Sequence, residues 1–404
     1  MSEPAPTSRL RFLPLFAIAL AVRLLVVALG VVMIPVQPPN PLWIMGIGVA
    51  GYPADMVSAS DEDGPKHLRE HIQGTSAAVI EPWYHWDAGW FCNLAENGYP
   101  TPGSNPRGAA FPPAMPAVLA GASALGLNPY WAGLLAANLA GAAGAALLAQ
   151  IAQRLTADRE TAVRTFVLLL AFPTAFFFSA PYHESFGLLF TGLALMAWLD
   201  LRPLRAGVFA ALGSFARIAG VAVGIAAIAE WLVRDRTSRG LRPALIVAVG
   251  SLVGVACYWG YVGWVFGSPF IGLNAHSAWG RHSFSLLNPL RAIDSIYNPD
   301  LFRPGAADSY AFEAACAFGF AALGIRAWLR RGIFWGMLTL VPVGMMLMSG
   351  TFLSGHRVVL AAAPGFIELA DVLRNRLYFR LTVGFFVLAQ LVLINRFVHW
   401  QWAG

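Results

Sequence analysis

A chain of 404 residues with 57% hydrophobic and only 12% charged side chains cannot clothe itself in a water-soluble surface, since soluble domains carry about a quarter charged residues. The net charge of +6 does not indicate nucleic acid, because Lys66 is the only lysine and the arginines fall in short clusters between apolar runs. Those continuous runs exclude the strict alternation of a β-barrel, and Cys92, Cys257 and Cys316 form no CxxC pair that would signal a metal site or disulfide framework.

In chain order, "FLPLFAIALAVRLLVVALGVVMI" predicts a first span at 12–34, with Arg23 inside it. It lacks a small-x-small cleavage site and reads as an uncleaved span. A long polar segment, 36–107, follows. Further apolar segments lie at 108–127, 131–152, 164–180, 184–200, 206–216, 218–233, 242–266, 308–328, 332–350, 357–373 and 381–398. The pieces at 206–216 and 218–233 are too short to cross singly, so they predict a broken or re-entrant pair, which is tolerated only inside protein or beside a wet cavity. The expected fold is an all-α polytopic integral membrane protein, one membrane domain over 1–404. It would be a bundle of about 10–12 transmembrane or half-spanning helices, each near the ~20 residues that a bilayer core requires or shorter.

The arginines predict the orientation. Most lie in 1–11, 152–165, 200–205, 230–243, 326–331 and 371–380, which are expected to be cytoplasmic together with the N-terminus. Segment 36–107 holds three basic residues against eight acidic ones and is expected to be the first extracytoplasmic loop, with 267–307 as a second. This requires 108–127 to be an embedded or surface-lying helix and 131–152 the second true span. "HWDAGWFCNLAENGY", "SAPYHES", "SFARIAG", "NAHSAWGRHSF" and "SGHRVVL" then share the outer face of a cell-membrane protein. Ionisable residues at membrane depth are costly and usually mark sites or paths.

Asp87 opens a short helix ending at Gly98, so it can serve as an N-cap opposite a glycine C-cap, with Trp83, Trp86 and Trp90 as interfacial aromatics. It can equally be a general base, with Trp86 and Trp90 limiting water around it. Pro112, Pro113 and Pro116 predict no regular helix before Pro116. Tyr182, His183, Glu184 and Ser185 form a polar tip between apolar arms, either a tight loop apex or an embedded tip where Glu184 holds a sugar hydroxyl or an arginine. Arg217 stands at the tip of the broken pair and either snorkels or clamps phosphate. His356 and Arg357 open a helix on the same face, and with Arg217 could stabilise a departing phosphate. His276, Arg281 and His282 read as loop residues, and their spacing matches no metal motif.

Taken together, "WDAGWFCNLAENGY" followed by "FPPAMP", then "FPTAFFFSAPYHESFGLLF", "FARIAG" and "HRVVLAAAPGF" resemble the PIG-V-like mannosyltransferase family of the GT-C superfamily. The ordered set spans residues 83 to about 366. It departs at "AFPPAMP" and at Arg357-Val358, where the family has an Arg-Tyr pair. The resemblance implies a GT-C-like bundle with a long first outer loop, and inverting transfer from a polyprenyl-phosphate-mannose donor. The acceptor would be a glycolipid or glycan at the membrane lipid surface, with no cofactor and no metal, and Asp87 would be the catalytic base. The competing expectation is a polytopic transporter or lipid flippase. That reading accounts for broken helices and buried arginines but not for the Trp-Asp cluster, and no inverted repeat is visible.

Overall fold

The structure, a computed structural model, describes residues 9–36, 75–99, 106–233, 240–268, 270–279, 281, 285–297, 307–399, 401 and 403–404. Most of the expected first outer loop (37–74) and His282 lie outside the described residues. The first half of the chain forms α1 (Phe12–Met33), α2 (Thr75–Ile80), α3 (Asp87–Asn97), α4 (Ala114–Ala124), α5 (Pro129–Thr156), α6 (Arg159–Ala171), α7 (His183–Leu199), α8 (Pro203–Ala216) and α9 (Ala222–Val233). It continues with α10 (Leu241–Phe266), α11 (Ile271–Ala275), α12 (Asn288–Tyr297), α13 (Ala307–Arg331), α14 (Ile333–Leu347), α15 (Gly355–Val358), α16 (Gly365–Val372) and α17 (Arg376–Val398).

Helices α1, α5, α10, α13 and α17 contain stretches long and apolar enough to cross a membrane, so the chain is an all-α membrane protein. Several other expected segments are shorter or broken. The 108–127 segment reduces to α4, whose 11 residues reach about 16 Å, roughly half a hydrocarbon core. It starts at Ala114, before Pro116 rather than after it, because a first-turn proline gives up no helical hydrogen bond. The 164–180 segment stops at Ala171, ahead of Pro173, which disfavours helical geometry at Phe172. The 357–373 segment divides into α15, a 3-10 turn (Val359–Ala362) and α16. The broken pair is present as α8 and α9, parted by Arg217 and a 3-10 turn (Ile218–Val221). Gly220 makes that break possible: a Cβ there would run into the backbone of Gly213 and Ser214.

Small residues on the buried helix α5 let α7 lie close against it. A Cβ on Gly141 would press on Phe178 and Ser185, and one on Gly144 on Leu188. Asn138 of α5 donates to the carbonyls of Leu134 (2.7 Å) and Ser179 (3.0 Å), pinning the turn that leads into α7. At the other end of α7, Arg154 pairs with Asp200 at 2.5 Å. Nearby segments join in the same way: Arg164 donates to Leu373 O at 2.9 Å, Arg326 and Arg330 hold Asp371 at 2.6 and 2.5 Å, and Arg331 holds Glu368. Four of the arginine-rich segments, 152–165, 200–205, 326–331 and 371–380, are therefore tied together away from the Tyr182 end.

Arg23 has a structural explanation. It is wholly buried, and its guanidinium donates to Ala175 O and, at 3.1 Å, to Leu170 O. Leu170 O lies in the last turn of α6, where carbonyls lack helical donors, and Ala175 O opens the 3-10 turn that follows the break. Gln390 of α17 assists by donating to Phe172 O at 2.6 Å. Arg23→Met is expected to destabilise the protein by ~1–3 kcal/mol through loss of its bonds to the buried Leu170 and Ala175 carbonyls. The measurement is thermal unfolding in detergent, and an unchanged midpoint would contradict this role.

Candidate active site

The break after α6 sets up the site. From Phe172 the chain turns through a 3-10 segment (Ala175–Phe178) and enters α7 with Tyr182 as its N-cap. Tyr182, His183, Glu184 and Ser185 are all buried, so the polar tip is embedded and is not a loop apex in water. Glu184 leaves α7 toward two guanidiniums, with Oε1 2.6 Å from Arg357 Nε and 3.0 Å from Arg217 Nη1. Arg357, on α15, also reaches Asp87, Nη2 to Oδ2 at 2.7 Å. The four residues form one line of alternating charge: Asp87, Arg357, Glu184, Arg217. Arg357 is held from the side by rings, its Cζ 5.0 Å from the centroid of Phe177 and 4.8 Å from that of Tyr182. Such contacts favour a planar cation.

Asp87 does not cap its helix. It is the first helical residue of α3, the N-cap position belongs to Trp86, and the carboxylate turns instead to Arg357. The expected glycine C-cap is present, with Gly98 at φ 75°. Trp86 adopts φ 57°, ψ −122°, a backbone region suited to glycine. Ser354, three residues before Arg357, also has a positive φ, 63°. Both ends of the Asp87–Arg357 pair thus hang on strained backbone, a feature that clusters at functional sites. The base of the arrangement is fixed by Tyr182, whose hydroxyl donates to His85 O at 2.8 Å. The His85 ring is in turn 2.8 Å (Nδ1) from Phe397 O of α17.

Among the residues singled out from sequence, Asp87, Tyr182, Glu184, Arg217 and Arg357 are brought together. Trp86 adjoins them through the chain. Trp90 lies on the next helical turn, its ring stacked on Phe111 at 5.7 Å, where it packs the "FPPAMP" element. His183 lies within electrostatic reach of Glu184, Arg217 and Arg357, but forms no ion pair with them among the described residues. Its ring meets Phe91 at 4.4 Å and donates to the backbone of Pro112. His356 is directed elsewhere, with Nε2 3.1 Å from Ala403 O and Nδ1 3.4 Å from Glu313. Burial pushes its pKa down to about 3, so at neutral pH it supplies no positive charge for a departing phosphate. That part of the sequence expectation is corrected.

Two neighbours escaped sequence reasoning as site residues. Phe177 lies inside an apolar run that nothing distinguishes. Arg281 follows the 3-10 turn His276–Trp279 and lies within electrostatic reach of Arg357, Asp87 and Arg217. Burial, and then the like charge of Arg357, lowers its pKa to about 10, which leaves it cationic. Its placement follows from α11 packing on the 3-10 turn Pro106–Ala110, where Tyr258 donates to Ala109 O. That long-range contact has no local sequence signature.

No family model and no curated protein matches the sequence. Among solved structures, the chain is similar to the crystal structure of the Archaeoglobus fulgidus oligosaccharyltransferase, a complex with Zn and sulfate. The identity is 14% and the TM-score 0.41, over 93% of this chain and 53% of that one. This chain therefore spans about half the length of that protein.

Proposed function

We propose that this chain is a membrane glycosyltransferase, and specifically an inverting mannosyltransferase that moves mannose from polyprenyl-phosphate-mannose to a lipid-linked or extracytoplasmic acceptor. One observation carries the reading. Four motifs from distant parts of the sequence meet as a partly exposed carboxylate (Asp87, 23% exposed) joined through Arg357 to a buried carboxylate and a second arginine.

In this reading, a hydroxyl of the acceptor attacks the anomeric carbon from the face opposite the phosphate. The new C–O bond forms as the sugar–phosphate bond breaks, and the bonding pair leaves with the polyprenyl phosphate. Asp87 takes the hydroxyl proton, the role of the base in inverting glycosidases. Arg217 and Arg357 stabilise charge on the departing phosphate. A phosphate leaving group does not oblige the protein to supply a general acid. The site is assigned to the extracytoplasmic side by the arginine distribution, with the N-terminus cytoplasmic.

The test is a membrane assay with radiolabelled polyprenyl-phosphate-mannose, followed by identification of the labelled product. The same membranes, carrying single cysteines at positions next to Asp87, should react with an impermeant thiol reagent added from outside. Absence of labelled product, together with solute or lipid counterflow by the purified protein in liposomes, would favour the transporter reading.

A further inference from the structure

Glu184 has an oxygen that the ion pairs leave unused. Both guanidiniums approach Oε1, whereas Oε2 is buried and has no hydrogen-bond partner among the described residues. The side chain is only 1% exposed, so bulk water does not satisfy it. A carboxylate oxygen flanked by two arginines is ionised and carries acceptor capacity, and a buried acceptor without a donor is an uncommon feature that calls for an explanation.

Glu184 also lines a crevice. Its wall is built from α7, the break at 218–221 and the 3-10 turn 359–362, through Gly187, Thr191, Arg217, Gly220 and Ala361. Leu188 and Leu360 close it further, and the space enclosed is about 20 Å³, which admits a single hydroxyl group while the rest of a sugar ring stays outside. The chemistry at Oε2 restricts the occupant. A phosphate oxygen is excluded there by like charge. A cation gains little, because Arg217 and Arg357 already compensate the carboxylate. A neutral hydroxyl fits, since it donates to Oε2 without adding charge.

We infer that Glu184 Oε2 accepts a hydrogen bond from one hydroxyl of the sugar ring carried by the donor, which makes Glu184 the residue that reads the identity of the sugar. This rests on the glycosyl-transfer reading and adds a specificity contact to it. Arg217 and Arg357 hold the carboxylate through Oε1, which leaves Oε2 as its unengaged acceptor.

The test uses the full-length protein in lipid nanodiscs, with polyprenyl-phosphate-mannose and its monodeoxy analogues as donors. One analogue is expected to lose at least about a hundredfold in kcat/KM, because a site built around a substrate hydroxyl strongly rejects the compound that lacks it. In Glu184→Gln that discrimination should shrink to a few-fold. The wild-type series stands alone if this variant does not fold. Analogues that all react within about threefold of the parent overturn the Oε2 contact and leave glycosyl transfer standing. No transfer from polyprenyl-phosphate-mannose at all overturns both. Full discrimination retained in a folded Glu184→Gln assigns the hydroxyl to another residue and overturns the inference.

Discussion

Asp87→Asn is expected to lower the rate of sugar transfer by about 10²–10⁴-fold, the range that a positioned general base supplies, while leaving a folded protein. The amide occupies nearly the same volume but cannot take a proton from the acceptor hydroxyl. Folding should survive because Arg357 keeps its 2.6 Å bond to Glu184 and its ring contacts with Phe177 and Tyr182. The two measurements are labelled product formed from radiolabelled donor and the thermal midpoint followed by tryptophan fluorescence. Wild-type turnover in Asp87→Asn would remove the proposed base. A collapse in stability alongside the rate would instead make Asp87 a structural ion-pair partner.

Arg357 should be the least replaceable residue of the site. It bridges two carboxylates from different nitrogens, Nε to Glu184 and Nη2 to Asp87, and lays its flat face against two rings. A lysine keeps the charge but brings a single nitrogen and no planar face, so it cannot serve both partners. Arg357→Lys is therefore expected to cost at least about a hundredfold in rate, comparable with losing one transition-state donor. Arg357→Gln should in addition destabilise the fold, toward the lower end of the ~3–5 kcal/mol seen when a buried pair is broken, because Arg217 still attends Glu184. Full activity and an unchanged melting point in Arg357→Lys would show that the bridging geometry is irrelevant.

Much of this site was legible from residue types. Asp87, Tyr182, Glu184, Arg217 and Arg357 stand out because charge and hydroxyls are expensive in so apolar a chain. The break at Arg217 was legible from length, as two segments too short to cross. What the sequence withheld was direction and distance. His183 and His356 sit beside Glu184 and Arg357 in the chain, yet helical geometry sends each neighbour to a different face, toward Pro112 in one case and toward Ala403 and Glu313 in the other. The role of Arg23 was equally hidden, since its acceptors are backbone carbonyls about 150 residues away, on either side of a helix break that Pro173 produces. Uniform hydropathy also masked the division of 357–373, since every fragment is apolar.

Within the line Asp87–Arg357–Glu184–Arg217, each guanidinium already has a carboxylate, so a phosphate that engages Arg357 must win it by exchange. Glu184 is buried and doubly held, whereas Asp87 has one partner and partial access to solvent. Asp87 is thus the anion displaced, and docking of the donor itself uncouples the base just when it is needed. The Asp87→Asn variant has no competing charge at that position, so donor KM should drop there even as turnover fails. A higher KM would show that phosphate and aspartate do not vie for the same arginine.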